Sequence, residues 1–120
     1  MIAYTTTPDS PVLGFKVDGT LSAEDYEQVL MPEIEKRIKA QGKARVLIEW
    51  GENFSGWSPK AMIDDARLGF AHWNDFEKLA LVGAPKWAGF FARLFDAVSK
   101  GAVKVFDADQ YEEALAWASS

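Results

Sequence analysis

The apolar positions of this chain fall into short runs separated by longer helical stripes, and the most informative run is Val46-Leu47-Ile48 within ARVLIEW, Ala44 to Trp50. A continuous run with β-branched residues at both ends is the pattern of a strand buried on both faces. Gly51, Asn53 and Gly56 then break the chain into a loop, and Ser58-Pro59 restarts it. Serine is a favoured N-cap, and proline at the first helical position forgoes only an N–H that would be orphaned there. Met62, Ala66, Phe70 and Trp73 follow at helical spacing. A central strand thus delivers a polar, glycine-bearing loop to a helix N-terminus, where βα folds usually carry their working parts.

The flanking pattern supplies the other elements. Ile2 to Thr6 reads as a short strand ended by Pro8-Asp9-Ser10-Pro11. Val12 to Val17 reads as a second, with Val12, Gly14 and Lys16 on one face and Leu13, Phe15 and Val17 on the other. A short turn between neighbouring strands predicts a hairpin. Ser22 is the expected N-cap of the first helix, whose buried stripe is Tyr26, Val29, Leu30, Ile34 and Ile38. Pro32 is expected to kink or divide that helix, and Gly42 to stop it. Lys36, Arg37 and Lys39 suit its C-terminal dipole, with a phosphate-binding patch as the alternative.

Phe76 to Val82 predicts another buried strand ended by Gly83, and Pro85 to Gly101 a third helix. Ala102 to Phe106 predicts the last strand, and Asp107 or Asp109 the cap of a final helix carrying Tyr111, Ala114, Leu115 and Trp117. Strands alternating with helices imply an α/β fold. The expectation is one domain over residues 1–120, a mixed, mostly parallel sheet with an N-terminal hairpin and about four helices.

Composition narrows the function classes. The 120 residues, 48% hydrophobic and 26% charged, are ordinary for a soluble domain with a real core. A net charge of −5 argues against nucleic acid and anionic membrane as general partners, since both rely on clustered Lys and Arg. With no cysteine, disulfides and thiolate chemistry drop out. The N-terminus MIAYTTTPDS lacks the basic start and apolar run of a signal peptide. No apolar stretch approaches the ~20 residues that span a bilayer, so the expected location is the cytoplasm.

Candidate chemistry is sparse. His72 is the sole histidine, so a transition-metal site lacks ligands. Ser55 or Ser58 with His72 and Asp65 composes a triad only on paper, because no GxSxG elbow accompanies it. Glu49, Glu52, Asp64 and Asp65 do not form a carboxylate dyad, Asp64 and Asp65 pointing about 100° apart on a helix. The glycines of GENFSG lack the spacing and lysine of a P-loop. No catalytic residue, cofactor or metal ligand is assigned.

The conspicuous feature is the stripe Trp87, Phe90, Phe91, Leu94, Phe95 and Val98. Exposing one large apolar side chain forfeits ~1.5–3 kcal/mol, so the residues from Trp87 to Phe95 represent roughly 8–15 kcal/mol. That equals the ~5–15 kcal/mol net stability of a small domain, and the stripe cannot stand bare. Two readings stay open. Either it packs on the sheet, or it forms a partly open cleft that closes on an apolar ligand, a membrane surface or a partner subunit, as in a homodimer.

The segments VDGTLSAEDYEQVLMPEIEK, VLIEWGENFSGWSPKAMIDDAR, FEKLALVGAPKWAGFFARLF and VKVFDADQYEEALAWA together resemble the SpoIIAA-like family of small bacterial proteins, with the STAS-type fold of anti-sigma-factor antagonists. The resemblance covers nearly the whole chain through diffuse motifs. It implies a non-enzymatic, cytoplasmic module. In the antagonists a serine or threonine after the central strand is phosphorylated by a partner kinase. The corresponding region here holds Ser55 and Ser58, but ENFSGWSP replaces the Asp-Ser or Asp-Thr-Ser signature. The fold class also includes the CRAL-TRIO lipid carriers, which implies an apolar ligand as readily. The leading expectation is an apolar small molecule or membrane-associated partner at a cleft lined by Trp57, Trp87, Phe90, Phe91 and Leu94. The runner-up is a regulatory protein–protein switch at Ser58 and Ser55.

As the N-cap of the second helix, Ser58 sets a stability expectation. Ser58→Ala should lower stability by ~0.5–2 kcal/mol in urea melts, and a neutral result removes the cap.

Overall fold

The computed structural model describes residues 2–51, 56–57, 75–84 and 103–120, with backbone alone for Leu21, Ala23, Tyr26, Gly56 and Trp57. Strand β1 (Ile2–Tyr4) runs antiparallel to β2 (Leu13–Val17), with Ile2 opposite Val17 and Tyr4 opposite Phe15. The expected hairpin is present. Each strand is shorter than its apolar run, because the Thr6 hydroxyl takes over pairing beside the turn. It donates to the Val12 carbonyl and accepts from the Gly14 N–H. At the open side Tyr4 packs on Phe15 with ring centroids 5.3 Å apart. Partial desolvation, and then the Glu33 carboxylate that accepts its hydrogen bond, push the Tyr4 hydroxyl pKa upward.

From β2 onward the main sheet is parallel, and β4 (Ala44–Trp50), β6 (Phe76–Val82) and β7 (Val103–Phe106) extend it in the order β1-β2-β4-β6-β7. A separate pair, β3 (Thr20–Leu21) and β5 (Gly56–Trp57), forms a two-stranded parallel sheet. The bounds of β4 and β6 match those expected from the apolar runs. Strand β7 covers Val103–Phe106 of its run, and Ala102 lies outside the described residues.

Alternation divides the core between the two faces of this sheet. Leu13, Phe15, Val17, Ala44 and Val46 pack with Leu30 and Ile34 of the first helical region. Val12, Leu47, Ala80, Val82 and Phe106 pack with Ala114 and Ala118 of the last helix, α3 (Tyr111–Ser119). Val46 and Leu47, adjacent in the central strand and pointing oppositely, are both 0% exposed.

The first helical region starts as α1 (Ala23–Asp25), widens to a π turn over Tyr26–Leu30, and continues as α2 (Met31–Gln41). Ser22 is its cap, as expected. The Asp25 N–H donates to Ser22 Oγ at 3.1 Å, and the Ser22 N–H donates to Asp25 Oδ2 at 3.4 Å, a reciprocal capping box. Pro32 divides the helix through the π turn, since it has no N–H to offer Gln28 and its ring would strike that carbonyl. Gly42 ends α2 at φ 83°, donating its N–H to the Ile38 carbonyl at 2.7 Å. Arg37 ties α2 to the hairpin turn, donating to the carbonyls of Ser10 at 2.9 Å and Pro8 at 3.4 Å. Its structural role follows from these bonds.

The cap of α3 differs from expectation. Gln110, not Asp107 or Asp109, occupies the N-cap position. Its Oε1 accepts the Asp107 N–H at 2.8 Å and its Nε2 donates to Glu113 at 3.2 Å, while no side-chain hydrogen bond caps the helix itself. At the other end, Arg45 donates to the carbonyls of Ala118 and Ser120, and Lys78 to those of Trp117 and Ser120. Arg45 and Lys78 are neighbours across the β4–β6 ladder, a like-charge pair relieved by the negative end of the helix. The helices expected over 58–73 and 85–101 lie outside the described residues.

Lys78 also lies over the Trp117 ring, 5.1 Å from its centroid. Lys78→Ala should therefore lower stability by about 1–2 kcal/mol through the unpaired carbonyls. The loss should be read as a shifted urea midpoint at unchanged slope, and no shift would show that α3 docks by apolar contact alone.

Candidate functional site

Strands β2, β4, β6 and β7 are parallel, so their C-terminal ends form one rim. At this rim the chain leaves β4 through Gly51 and β6 through Gly83, and each exit is stitched to a neighbouring strand. The Gly51 N–H donates to the Val17 carbonyl at 2.8 Å, and the Gly83 N–H to that of Phe106 at 2.9 Å. Gly83 has φ 70°, which a larger residue resists. At Gly51 the constraint is space: an added Cβ would collide with the Asp18 carboxylate. The Asp18 carboxylate thus rests directly against the backbone where β4 gives way to residues 52–55.

Beneath the rim sits a third apolar cluster. Trp50, Leu81 and Val103 are buried, with Ile48, Leu79 and Ala84 packed around them. Strand alternation puts it on the sheet face that also carries Phe15 and Val46. Val105, next on that face of β7, is 45% exposed. Ala84, at the margin of the cluster, is where the chain departs into residues 85–102.

Beyond the rim, Thr20 pairs with Gly56 and Leu21 with Trp57. This pairing was not legible in the apolar pattern, because two residues are too few to show an alternation. It puts Trp57 on a strand flanked in sequence by Ser55 and Ser58. The Trp57 side chain, Ser55, Ser58, Trp87, Phe90, Phe91 and Leu94 lie outside the described residues, as do Glu52, Asp64, Asp65 and His72. Glu49 lies on β4 opposite Lys16 and Val82. Among the described residues no group of three His, Cys, Asp or Glu side chains is placed to hold a metal ion.

The opposite rim carries an open cleft of about 370 Å³ lined by Pro11, Gln41, Lys43, Arg45, Glu77 and Ser119. Its polar groups largely serve one another, with Arg45 paired to Glu77 and bonded to the end of α3. Among the described residues no helix is long and apolar enough to cross a membrane.

A mixed sheet opened by an antiparallel hairpin, with helices on both faces and glycine exits along one rim, defines a small α/β module of the STAS type. The family model described as SpoIIAA-like matches residues 12–119, and the chain belongs to the SpoIIAA-like family. Among solved structures it is similar to an uncharacterized protein with a SpoIIAA-like fold from Shewanella loihica PV-4. The two are 28% identical with a TM-score of 0.72, over 98% of this chain and 91% of that one. No curated protein matches the chain.

The Asp18–Gly51 contact makes the rim testable. Gly51→Ala should lower stability by ~1–3 kcal/mol through overpacking. Adding Asp18→Ala should restore part of that loss, and strictly additive costs in the double variant would show that the two residues do not share the space.

Proposed function

We propose that this chain is a non-enzymatic SpoIIAA-like module that takes an apolar small molecule, or the apolar part of a membrane-associated partner, at the C-terminal rim. The cleft lies beside residues 85–100 and draws its lining from Trp57, Trp87, Phe90, Phe91 and Leu94. The observation that supports this reading is the third apolar cluster. Trp50, Leu81 and Ala84 gather at the rim, joined to the first core through Ile48 and Leu79. The aromatic stretch follows directly in sequence from Ala84 at the margin of this cluster.

A second reading rests on a different observation. Strand β5 is tied to β3 between Ser55 and Ser58, beside a rim that presents the Asp18 carboxylate to the backbone of Gly51. A phosphate added at either serine would bring negative charge toward that carboxylate and disturb the pairing. The module would then be a regulatory switch for a protein partner.

Dodecanoate and neutral phosphatidylcholine vesicles are suitable probes, with tryptophan emission as the readout. Trp87→Ala should weaken dodecanoate binding several-fold at small cost in stability, whereas Phe95→Ala should lose ~3–5 kcal/mol as a core residue. Equal destabilisation by both, with emission unmoved by either probe, would discard the ligand reading. Native mass spectrometry of protein from its own host reads copurified ligand, phosphate and dimer together.

A further inference from the structure

The outer edge of the hairpin has a defined hydrogen-bonding register. The Thr5 N–H donates inward to the Gly14 carbonyl at 2.9 Å, and the Val17 carbonyl turns away from β1 to accept the Gly51 N–H at 2.8 Å. Ile2, opposite Val17, and Tyr4, opposite Phe15, therefore hold the non-hydrogen-bonded positions of the β1–β2 pair. Their N–H and C=O groups face away from β2, and among the described residues no strand or side chain meets them. An edge left in this way is a template for another strand, and proteins commonly blunt it with charge or proline. Strand β1 carries neither.

The side chains along this edge are already set. Tyr4 is 55% exposed yet fixed, its ring on Phe15 and its hydroxyl bonded to Glu33. Ile2 lies on the same face and packs on the first core. On the other face Ala3 is exposed and small, and beyond it on β2 stands exposed Lys16. Among the described residues Lys16 makes no hydrogen bond or ion pair, Glu49 beside it on β4 included.

These features select an occupant. A second copy is poorly suited, because a stable dimer buries ~1,200–2,000 Å² with some 20–30 residues a side, and β1 offers three. A two-fold axis at Ala3 would also set both Lys16 side chains on one face with no acid between them. A single added strand fits better. Its backbone would lie about 10 Å from that of β2, two strand spacings away, a gap that Lys16 and a glutamate close above the Ala3 methyl. On the opposite face the Glu33 carboxylate repels an acid, while Ile2 and the Tyr4 ring accept apolar side chains.

We infer that the outer edge of β1 is a docking strand for an extended segment of a partner protein, laid antiparallel, with an acidic residue opposite Ala3 and apolar residues on either side of it. The backbone supplies the register and Lys16 supplies the preference for an acid. This surface is independent of the ligand proposed for the C-terminal rim.

A capped Thr-Val-Glu-Val-Thr peptide is a direct probe, titrated into the isotope-labelled full chain. It should shift the Ile2 and Tyr4 amide resonances and slow their hydrogen exchange. The same peptide N-methylated at both valines, whose amides would face β1, should do neither. Replacing its glutamate by lysine should weaken binding several-fold, and Lys16→Glu in the protein should reverse that preference. An unchanged urea midpoint would show that the variant keeps its fold. Equal binding of the two peptides, binding of the N-methylated one, or Ile2 and Tyr4 resonances unmoved at millimolar peptide would overturn the docking strand. Protection of both amides in the protein alone, with a mass that rises with concentration in sedimentation, would assign the edge to a second copy and overturn it equally.

Discussion

Two adjacent residues of one strand, Val46 and Leu47, are both sealed from solvent, and their side chains point to opposite faces of the sheet. That constraint organises the fold. A strand that is apolar on both faces must be covered twice, so the chain lays Leu30 and Ile34 on one side and the alanine face of α3 on the other. The small residues Ala114 and Ala118 let α3 approach closely enough to exclude water from Leu47 and Val82. Arg45 and Lys78 gain their fixed positions from that docking, since they meet the carbonyls at the helix end.

Much of this was legible in the order of residues, for a definite reason. β4 and β6 are long enough for a continuous apolar run to stand out, and glycine follows both, so their limits are sharp. Ser22, Pro32 and Gly42 each carry a backbone constraint that acts locally, and the structure shows a cap, a division and a stop at those positions. The cap of α3 was misread because aspartate is the commoner cap, whereas Gln110 reaches both Asp107 and Glu113 across the turn. The β3·β5 pair depends on residues far apart in sequence and on nothing periodic within either.

The candidate site was legible in outline only. Gly51 marked the loop after the central strand, but its reason is tertiary: the space of its missing side chain is filled by Asp18, which belongs to another strand end. The gathering of Trp50, Leu81 and Ala84 likewise needs the β4–β6 register, which no local pattern encodes. Family membership agrees with the architecture and leaves the ligand or partner to the chemistry of the rim.

The strand order has a consequence for how the protein is made. In the main sheet the order β1-β2-β4-β6-β7 is also the order of synthesis. Each new strand can join the growing edge as it emerges, and none must be inserted between two already paired. Among the described elements α3 returns across strands made well before it, and its Tyr111 hydroxyl donates to the Thr5 carbonyl, closing a span of 106 residues. A nascent chain lacking that helix would present Leu47, Ala80, Val82 and Phe106 as an uncovered apolar face, the kind of transient surface that invites chaperones. Docking of α3 is therefore the step that takes this face of the newborn sheet out of their reach.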